Sequence, residues 1–411
     1  MIRKKDLSPS ATRLIMQSVY LLYWGTNFIT GQYSAVFLRG FPFLSDFLVG
    51  MTISCGSLIS TAAQMFWGNI ADHAKTKNRI LIITIMGVIT GLFLLITPNH
   101  SSLLTLFPTT LFLYFFLTIP GVMVDTIIVE NVQMTGVPFG RIRVFASAGA
   151  AAGALMIFLL SLRITIVPSS TFQVAIACAG LALFPVMFLP ETKGHAYKQK
   201  KDKAKANYKI VLKNPRMILL LCFLLLIFTG TQATNLFLSV HYSSAEGLNA
   251  GLGSYGLFFA FCIGCEALVM TLGNRLWQSM NIYHVFTLTG FAAFGRSFIV
   301  YLAPNIYVLC LLAIFQALLF APLWTRLSPY VNSIVPKEAR ATGQAIWNVI
   351  VAGVAPMIGS ALGGTIAEIF GVRNVFGVAS AICLVSSVVF FFLFNRQKRY
   401  DLLHPIIPDE D

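Results

Sequence analysis

Charge is scarce in this sequence. Only 11% of its residues are Asp, Glu, Lys or Arg, and acidic residues number 15 in 411. Soluble domains carry roughly 25% charged residues, so this chain has less than half of what a water-facing surface of its length requires. Cysteine is also sparse. Of the seven cysteines (Cys55, Cys178, Cys222, Cys262, Cys265, Cys310, Cys383), only Cys262 and Cys265 have CxxC spacing, one helical turn apart, and most, that pair included, sit in apolar runs, where a thiol serves as a small apolar filler. No GxxxxGK[ST] run is present, which argues against ATP hydrolysis by this chain. Polar stretches long enough to house a catalytic site outside a membrane are missing too. The expectation is a protein that is not an enzyme, with no metal site and no cofactor.

Apolar residues take the place of charge. They make up 57% of the chain, Phe alone occurs 35 times, and mean hydropathy is +0.78. A bilayer crossing needs about 20 apolar residues, and runs of that length recur throughout. Helices are expected at 12–38, 43–68, 79–97, 101–129, 142–166, 171–190, 215–240, 248–272, 281–303, 306–330, 341–367 and 372–394. The first run follows Met-Ile-Arg-Lys-Lys-Asp and lacks a small-residue cleavage site, so it reads as a retained helix rather than a signal peptide. The fold class is therefore an all-α polytopic membrane protein with twelve transmembrane helices in two six-helix bundles. An N-terminal bundle spans 1–190, a basic linker 191–214, and a C-terminal bundle with a short tail 215–411.

The net charge of +14 would suggest a nucleic-acid partner on a soluble protein. Here the cations lie between apolar runs, so the partner is the lipid bilayer and no nucleic acid is expected. Of 29 basic residues, 25 fall on one side of the expected topology. Only Arg39, Arg163 and Arg373 fall on the other, and Arg296 lies within the ninth helix. Basic loops face the cytoplasm, which places both termini there in a multi-pass protein of the inner (plasma) membrane. The one long polar stretch, residues 191–216, holds nine basic and two acidic residues. It reads as a cytoplasmic linker, with room for a short amphipathic helix at the membrane surface.

Two six-helix halves match the plan of secondary transporters, whose substrate site forms near mid-membrane, and the driving force must then be an ion or solute gradient. An acid within a membrane helix costs about 2.5–3.5 kcal/mol. Asp125, within the fourth helix, must face water, gain a proton or meet a base, and Arg143 at the start of the fifth helix is its natural partner. Glu130 ends the fourth helix. In the second half Glu266 of the eighth helix and Arg296 of the ninth form a corresponding opposite pair. Substrate-binding candidates are Asp125, Arg143, Tyr23, Trp24, Asn27, Gln232, Asn235, Gln316, Trp347 and Asn348, with Tyr20, Gln32, Tyr33, Trp324 and Gln344 as further lining. Such amides and aromatic rings suit a hydroxyl-rich or heteroaromatic solute. Proton-coupling candidates are Glu266, Arg296, Asp125 and Glu130. The buried charges are expected to line one water-accessible passage between the two bundles.

The run Gly68-Asn-Ile-Ala-Asp72-His-Ala-Lys75-Thr-Lys77-Asn-Arg79 resembles the GxxxDxxGRR-type signature of the major facilitator superfamily, although the second glycine of that signature is absent. The resemblance implies that Gly68, Asp72 and Arg79 form part of a cytoplasmic gate. Phe139-Gly-Arg-Ile-Arg143-Val-Phe145 is similar to the start of helix five in the branch of lactose-permease-like and phenylpropionate-permease-like proton symporters. Ala341-Thr-Gly343-Gln344 and Gly363-Gly364 are similar to that branch's eleventh helix. The likeness implies solute binding by Asp125 and Arg143, and a role for Glu266 and Arg296 in its substrate and proton machinery. The sequence departs from lactose permease where that protein stacks its sugar on tryptophan, since Ala150 stands there. Gln316 and Leu319 occupy the places of its helix-ten histidine and proton-carrying glutamate. The expected function is proton-coupled uptake of a sugar, oligosaccharide or nucleoside by alternating access, in a chain that works as a monomer. Proton-antiport efflux of a drug or metabolite is the alternative, followed by a lipid flippase or a non-transporting sensor.

Overall fold

The computed structural model describes residues 8–97, 100–194 and 208–403, and every regular element among them is a helix. Arg3, Lys4, Lys5 and the middle of the basic linker lie outside the described residues. Backbone packing divides the chain into two compact units. One lies within Met1–Asp202 and includes Ala250–Ala260; the other lies within Lys203–Asn249 and Phe261–Asp411.

The first unit contains α1 (Pro9–Arg39), α2 (Asp46–His73), α3 (Lys77–Ile96), α4 (Leu103–Leu117), α5 (Ile119–Asn131), α6 (Phe139–Ser161) and α7 (Pro168–Val186). Ser8 and Ser45 open α1 and α2 by accepting backbone N–H groups that no preceding turn can satisfy. The expected single helix over 101–129 is broken at Thr118. Pro120 has no N–H to donate and its ring crowds the carbonyl of Phe116, so α4 ends and α5 restarts. Helix α1 packs most extensively against α6 and α7. That approach needs glycine: a Cβ on Gly149 would meet the Leu21 backbone, and Gly153 packs on Gly25. Close packing of small residues is how membrane helices associate, because lipid is as apolar as the side chains and offers no hydrophobic drive.

The second unit contains α8 (Tyr208–Lys213), α9 (Pro215–Ser243), α11 (Asn274–Ser279), α12 (Ile282–Leu302), α13 (Ile306–Leu309), α14 (Leu312–Ile334), α15 (Arg340–Val349), α16 (Ala355–Phe370) and α17 (Val372–Leu403). Helix α10 (Leu252–Leu272) contributes its first turns to the first unit and the remainder to the second. Those first turns are tied to α1, where Tyr33 donates to the Leu252 carbonyl (3.2 Å) and Tyr255 to Gln32 Oε1 (3.0 Å). The expected boundary at 215 thus misses this exchange. The expected tenth helix is interrupted at Cys310–Leu311. In the eleventh, a π-helical turn at Ile350–Val354 precedes Pro356, whose missing N–H disrupts the regular ladder. Helix α17 continues to Leu403, well past the expected end at 394, so Arg396, Lys398 and Arg399 are helical.

Eleven helical segments among the described residues are long and apolar enough to cross a membrane. Helix α1 falls outside that set despite 31 residues, about 46 Å of helix at 1.5 Å per residue. Its run is interrupted by Asn27, Gln32 and several Tyr, Thr and Ser residues, and its interior position explains them: Tyr20, Tyr23 and Tyr33 are completely buried. Large apolar side chains such as Leu104, Phe184 and Phe392 instead point outward, an arrangement stable in lipid and costly in water.

Candidate functional site

In the first unit, three helices converge on Asp125. It lies one turn and a half from the start of α5, whose position is set by the break at Thr118. Arg143, in the second turn of α6, brings Nε to 3.2 Å from Asp125 Oδ1. Tyr20 of α1 donates its hydroxyl to the same oxygen at 2.5 Å. Trp24, one turn further along α1, lies with its ring centroid 4.7 Å from the Arg143 guanidinium carbon, and the Tyr20 ring lies at 5.4 Å. Trp24 also rests against Gly121 of α5, where a side chain would press on the indole. The guanidinium is thus held between a carboxylate and two π faces. Its side chain nevertheless remains 37% exposed and that of Asp125 39%. An ion pair within membrane-spanning helices that is still more than a third open can exchange its partners for those of a polar solute.

The second unit holds a closed counterpart. Arg296 of α12 is 1% exposed. Its Nε donates to Gln316 Oε1 of α14 (2.7 Å) and Nη2 to Asn235 Oδ1 of α9 (2.5 Å). Gln316 Nε2 donates in turn to Glu266 Oε2 of α10 at 3.3 Å. Gln316 therefore stands between the acid and the base, using both ends of its amide, where the sequence suggested only an opposite pair. A neutral amide cannot cancel either charge, so the link is looser than a bidentate Arg–carboxylate pair. A carboxylate in that position can gain and lose a proton without dismantling the arginine's other contacts.

A family model described as the MFS_1 like family matches residues 13–378. The chain belongs to this family. It is a polytopic membrane protein of the major facilitator superfamily, a secondary transporter of small molecules rather than an enzyme. It is similar to an uncharacterized transporter, YwbF, of Bacillus subtilis (strain 168), at 23% identity over 88% of each chain. It is also similar to the maltose permease of Geobacillus stearothermophilus, at 22% identity over 89% of this chain and 90% of the permease. The fold resembles that of the nucleoside transporter NupG, with TM-score 0.77 and 16% identity over 94% of this chain and 99% of NupG.

Other candidate residues of the transporter are placed differently. Tyr23 donates to the Leu117 carbonyl at 2.5 Å and Asn27 to the same oxygen at 3.3 Å. That carbonyl lost its helical partner at the Thr118 break, so both side chains satisfy backbone rather than stand open. Gln232 reaches Ser360 Oγ at 3.4 Å. Trp347 donates to Gln344 Oε1 at 2.7 Å, and Gln344 donates to the Ser328 carbonyl and Asn332 Oδ1. Trp347 and Asn348 sit on the turn that leads into the π segment. Glu130 is engaged elsewhere, accepting from Lys77 Nζ at 2.5 Å.

The suggested gate motif is open at Gly68, where nothing would crowd a Cβ. Thr76 precedes α3 without a side-chain capping hydrogen bond. The Asp72 and Arg79 side chains make no hydrogen bond or ion pair among the described residues, and the polar work at this end falls to others. Lys77 is 1% exposed, and Asn78 accepts from the Thr192 N–H while donating to the Leu189 and Pro190 carbonyls. The burial of Lys77 is not legible in the sequence because the residue sits in a basic loop, where lysines ordinarily remain in water. Glu130, one of the few acids of the chain, was the available signal.

Proposed function

We propose that this transporter takes up a small polar organic solute, a sugar, oligosaccharide or nucleoside, together with protons, by alternating access across a bacterial inner membrane. The observation that carries this reading is the half-open Asp125–Arg143 pair beside the Tyr20 and Trp24 rings. Asp125 accepts from hydroxyls, Arg143 donates in a plane, and Trp24 offers a ring face; together these suit a ring that bears hydroxyls. The Trp24 indole supplies from α1 the platform that Ala150 does not supply from α6. The maltose permease likeness, and a fold shared with a nucleoside transporter, point to the same range of solutes.

In this reading Glu266 carries the proton. Its contact with Gln316 survives as a hydrogen bond in either protonation state if the carboxyl presents its carbonyl oxygen, whereas Arg296 remains held by Asn235 and Gln316. Helix α1 completes a set of twelve crossings, with both termini in the cytoplasm, and the chain works as a monomer. A thermal-shift screen of purified protein against sugars, nucleosides, aromatic acids and cationic drugs tests the substrate class. Stabilisation by a sugar or nucleoside that disappears in Arg143→Ala is the expected result. Stabilisation by cationic drugs alone would replace uptake with efflux.

A further inference from the structure

Apart from the Asp125 and Glu266 clusters, the second unit contains a cavity of about 640 Å³ formed where α11, the start of α12, the last turns of α14 and the end of α17 meet. Its walls include Ile282 and Pro329, the Tyr283 and Tyr330 rings, and two cations, Arg326 of α14 and Lys398 of α17. Asp401, the acid at its edge, is already saturated. Arg216 donates to Asp401 Oδ1 through Nε (3.0 Å) and Nη2 (2.8 Å), Gln397 donates to the same oxygen (2.8 Å), and Tyr283 donates to Oδ2 (2.5 Å). Its charge is neutralised by Arg216 and cannot serve the other cations.

Arg326 and Lys398 are held in place without being neutralised. Arg326 Nη1 donates to the Gln278 carbonyl at 2.6 Å, which fixes the guanidinium against the wall. Lys398 Nζ lies 3.2 Å from His284 Nε2. A histidine ring brings no counter-charge to the ammonium. Neither cation meets a carboxylate among the described residues. Two positive groups from different helices therefore face one roomy, partly apolar space, beside the hydroxyls of Thr325 and Ser333.

We propose that this cavity is a binding site for a phosphate monoester, with the phosphate between Arg326 and Lys398 and its organic part against the tyrosine rings. A dianionic oxyanion matches two cations in charge, and a guanidinium pairs with phosphate in its own plane. The volume lies within the range of small-molecule sites, about 300–1,000 Å³, and leaves room for more than an inorganic ion. The phosphate has two sources, a soluble ester or a phospholipid headgroup. The site shares no residue with the solute site and does not depend on how that site is read.

Purified full-length protein in detergent tests the proposal by thermal shift and by native mass spectrometry. One arm uses glucose 6-phosphate, the other short-chain phosphatidic acid. Binding of either is expected to weaken roughly tenfold when Arg326→Gln or Lys398→Gln removes one charge-assisted contact, and to vanish in the double variant. Ser333→Trp fills the cavity with both cations intact, so it separates loss of binding from loss of charge and is also expected to abolish it. A response to glucose 6-phosphate assigns the site to soluble esters; a response to phosphatidic acid alone assigns it to lipid. If neither ligand binds, or if binding is the same in wild type, the double variant and Ser333→Trp, the proposal is overturned. A double variant that melts well below wild type without ligand transfers the decision to Ser333→Trp.

Discussion

Replacing Arg143 separates holding a fold from holding a solute. At 3.2 Å from Asp125, the ion pair has a gross Coulomb energy of about 5 kcal/mol at an effective dielectric constant near 20. Both side chains are more than a third exposed, so water and the loss of side-chain freedom cancel most of that, and pairs of this kind contribute about 0–1 kcal/mol to stability. Stacking on Trp24 adds about 0.5–1 kcal/mol at such exposure. Arg143→Ala is therefore expected to cost no more than about 2 kcal/mol in stability. Solute binding fares worse. Each hydrogen bond from a charged group to the ligand is worth about 1.5–3 kcal/mol, which corresponds to a loss of affinity of roughly 10- to 150-fold for one such bond. Arg143→Lys keeps the charge but loses the planar donor array and the stacked face, so its affinity should fall nearly as far. Calorimetric titration of purified wild type and both variants, with whichever of maltose or uridine the thermal screen identifies, measures the effect. Unchanged affinity in Arg143→Ala refutes the role in binding. A collapse of the melting temperature with normal affinity in the surviving protein would make the pair a structural fastener.

Three further outcomes follow from the same geometry. Glu266→Gln should abolish proton-driven accumulation in vesicles while leaving solute exchange, because the amide keeps the contact with Gln316 but carries no proton; retained uphill accumulation removes Glu266 as carrier. Lys77→Met removes the buried ammonium that Glu130 accepts from and should destabilise the first unit by about 1.5–3 kcal/mol. Adding Glu130→Gln should return part of that loss in a double-mutant cycle of melting temperatures, and strictly additive effects would disprove the coupling. Gly149→Leu should prevent accumulation of folded protein, since its side chain meets the Leu21 backbone; a well-behaved monodisperse variant would show that α1 and α6 can separate.

The sequence makes the helical membrane fold legible because apolar run length is a strong signal and the basic loops mark the connections. It says less about where helices break. Pro120 and Pro356 are visible as residues, yet whether a proline kinks, splits or inserts a π turn depends on neighbours that repair the freed carbonyls. At the Thr118 break Tyr23 and Asn27 both donate to the Leu117 carbonyl, which no pattern along the chain reveals. Helix α1 illustrates the converse: its polar residues depress its hydropathy although its interior packing accounts for them. Among the charged groups, Asp125 and Arg143 meet as their positions suggested, because an acid and a base on successive helices had few other partners. Gln316 was legible only as a polar residue in an apolar run. Its place between Glu266 and Arg296 depends on the packing of α10, α12 and α14, which lie far apart in the chain. The pairings of Lys77 with Glu130 and of Asp401 with Arg216 are not legible because residues beside basic loops or near a terminus ordinarily face water, whereas here tertiary packing buries Lys77 and most of Asp401.

The most direct measurement follows pH and solute together in proteoliposomes that enclose a pH-sensitive dye. With no imposed gradient, adding maltose or uridine outside should bring labelled solute in and acidify the lumen, and Glu266→Gln should uncouple the two signals. Entry of solute with no change in internal pH, or with alkalinisation, would contradict proton-coupled uptake.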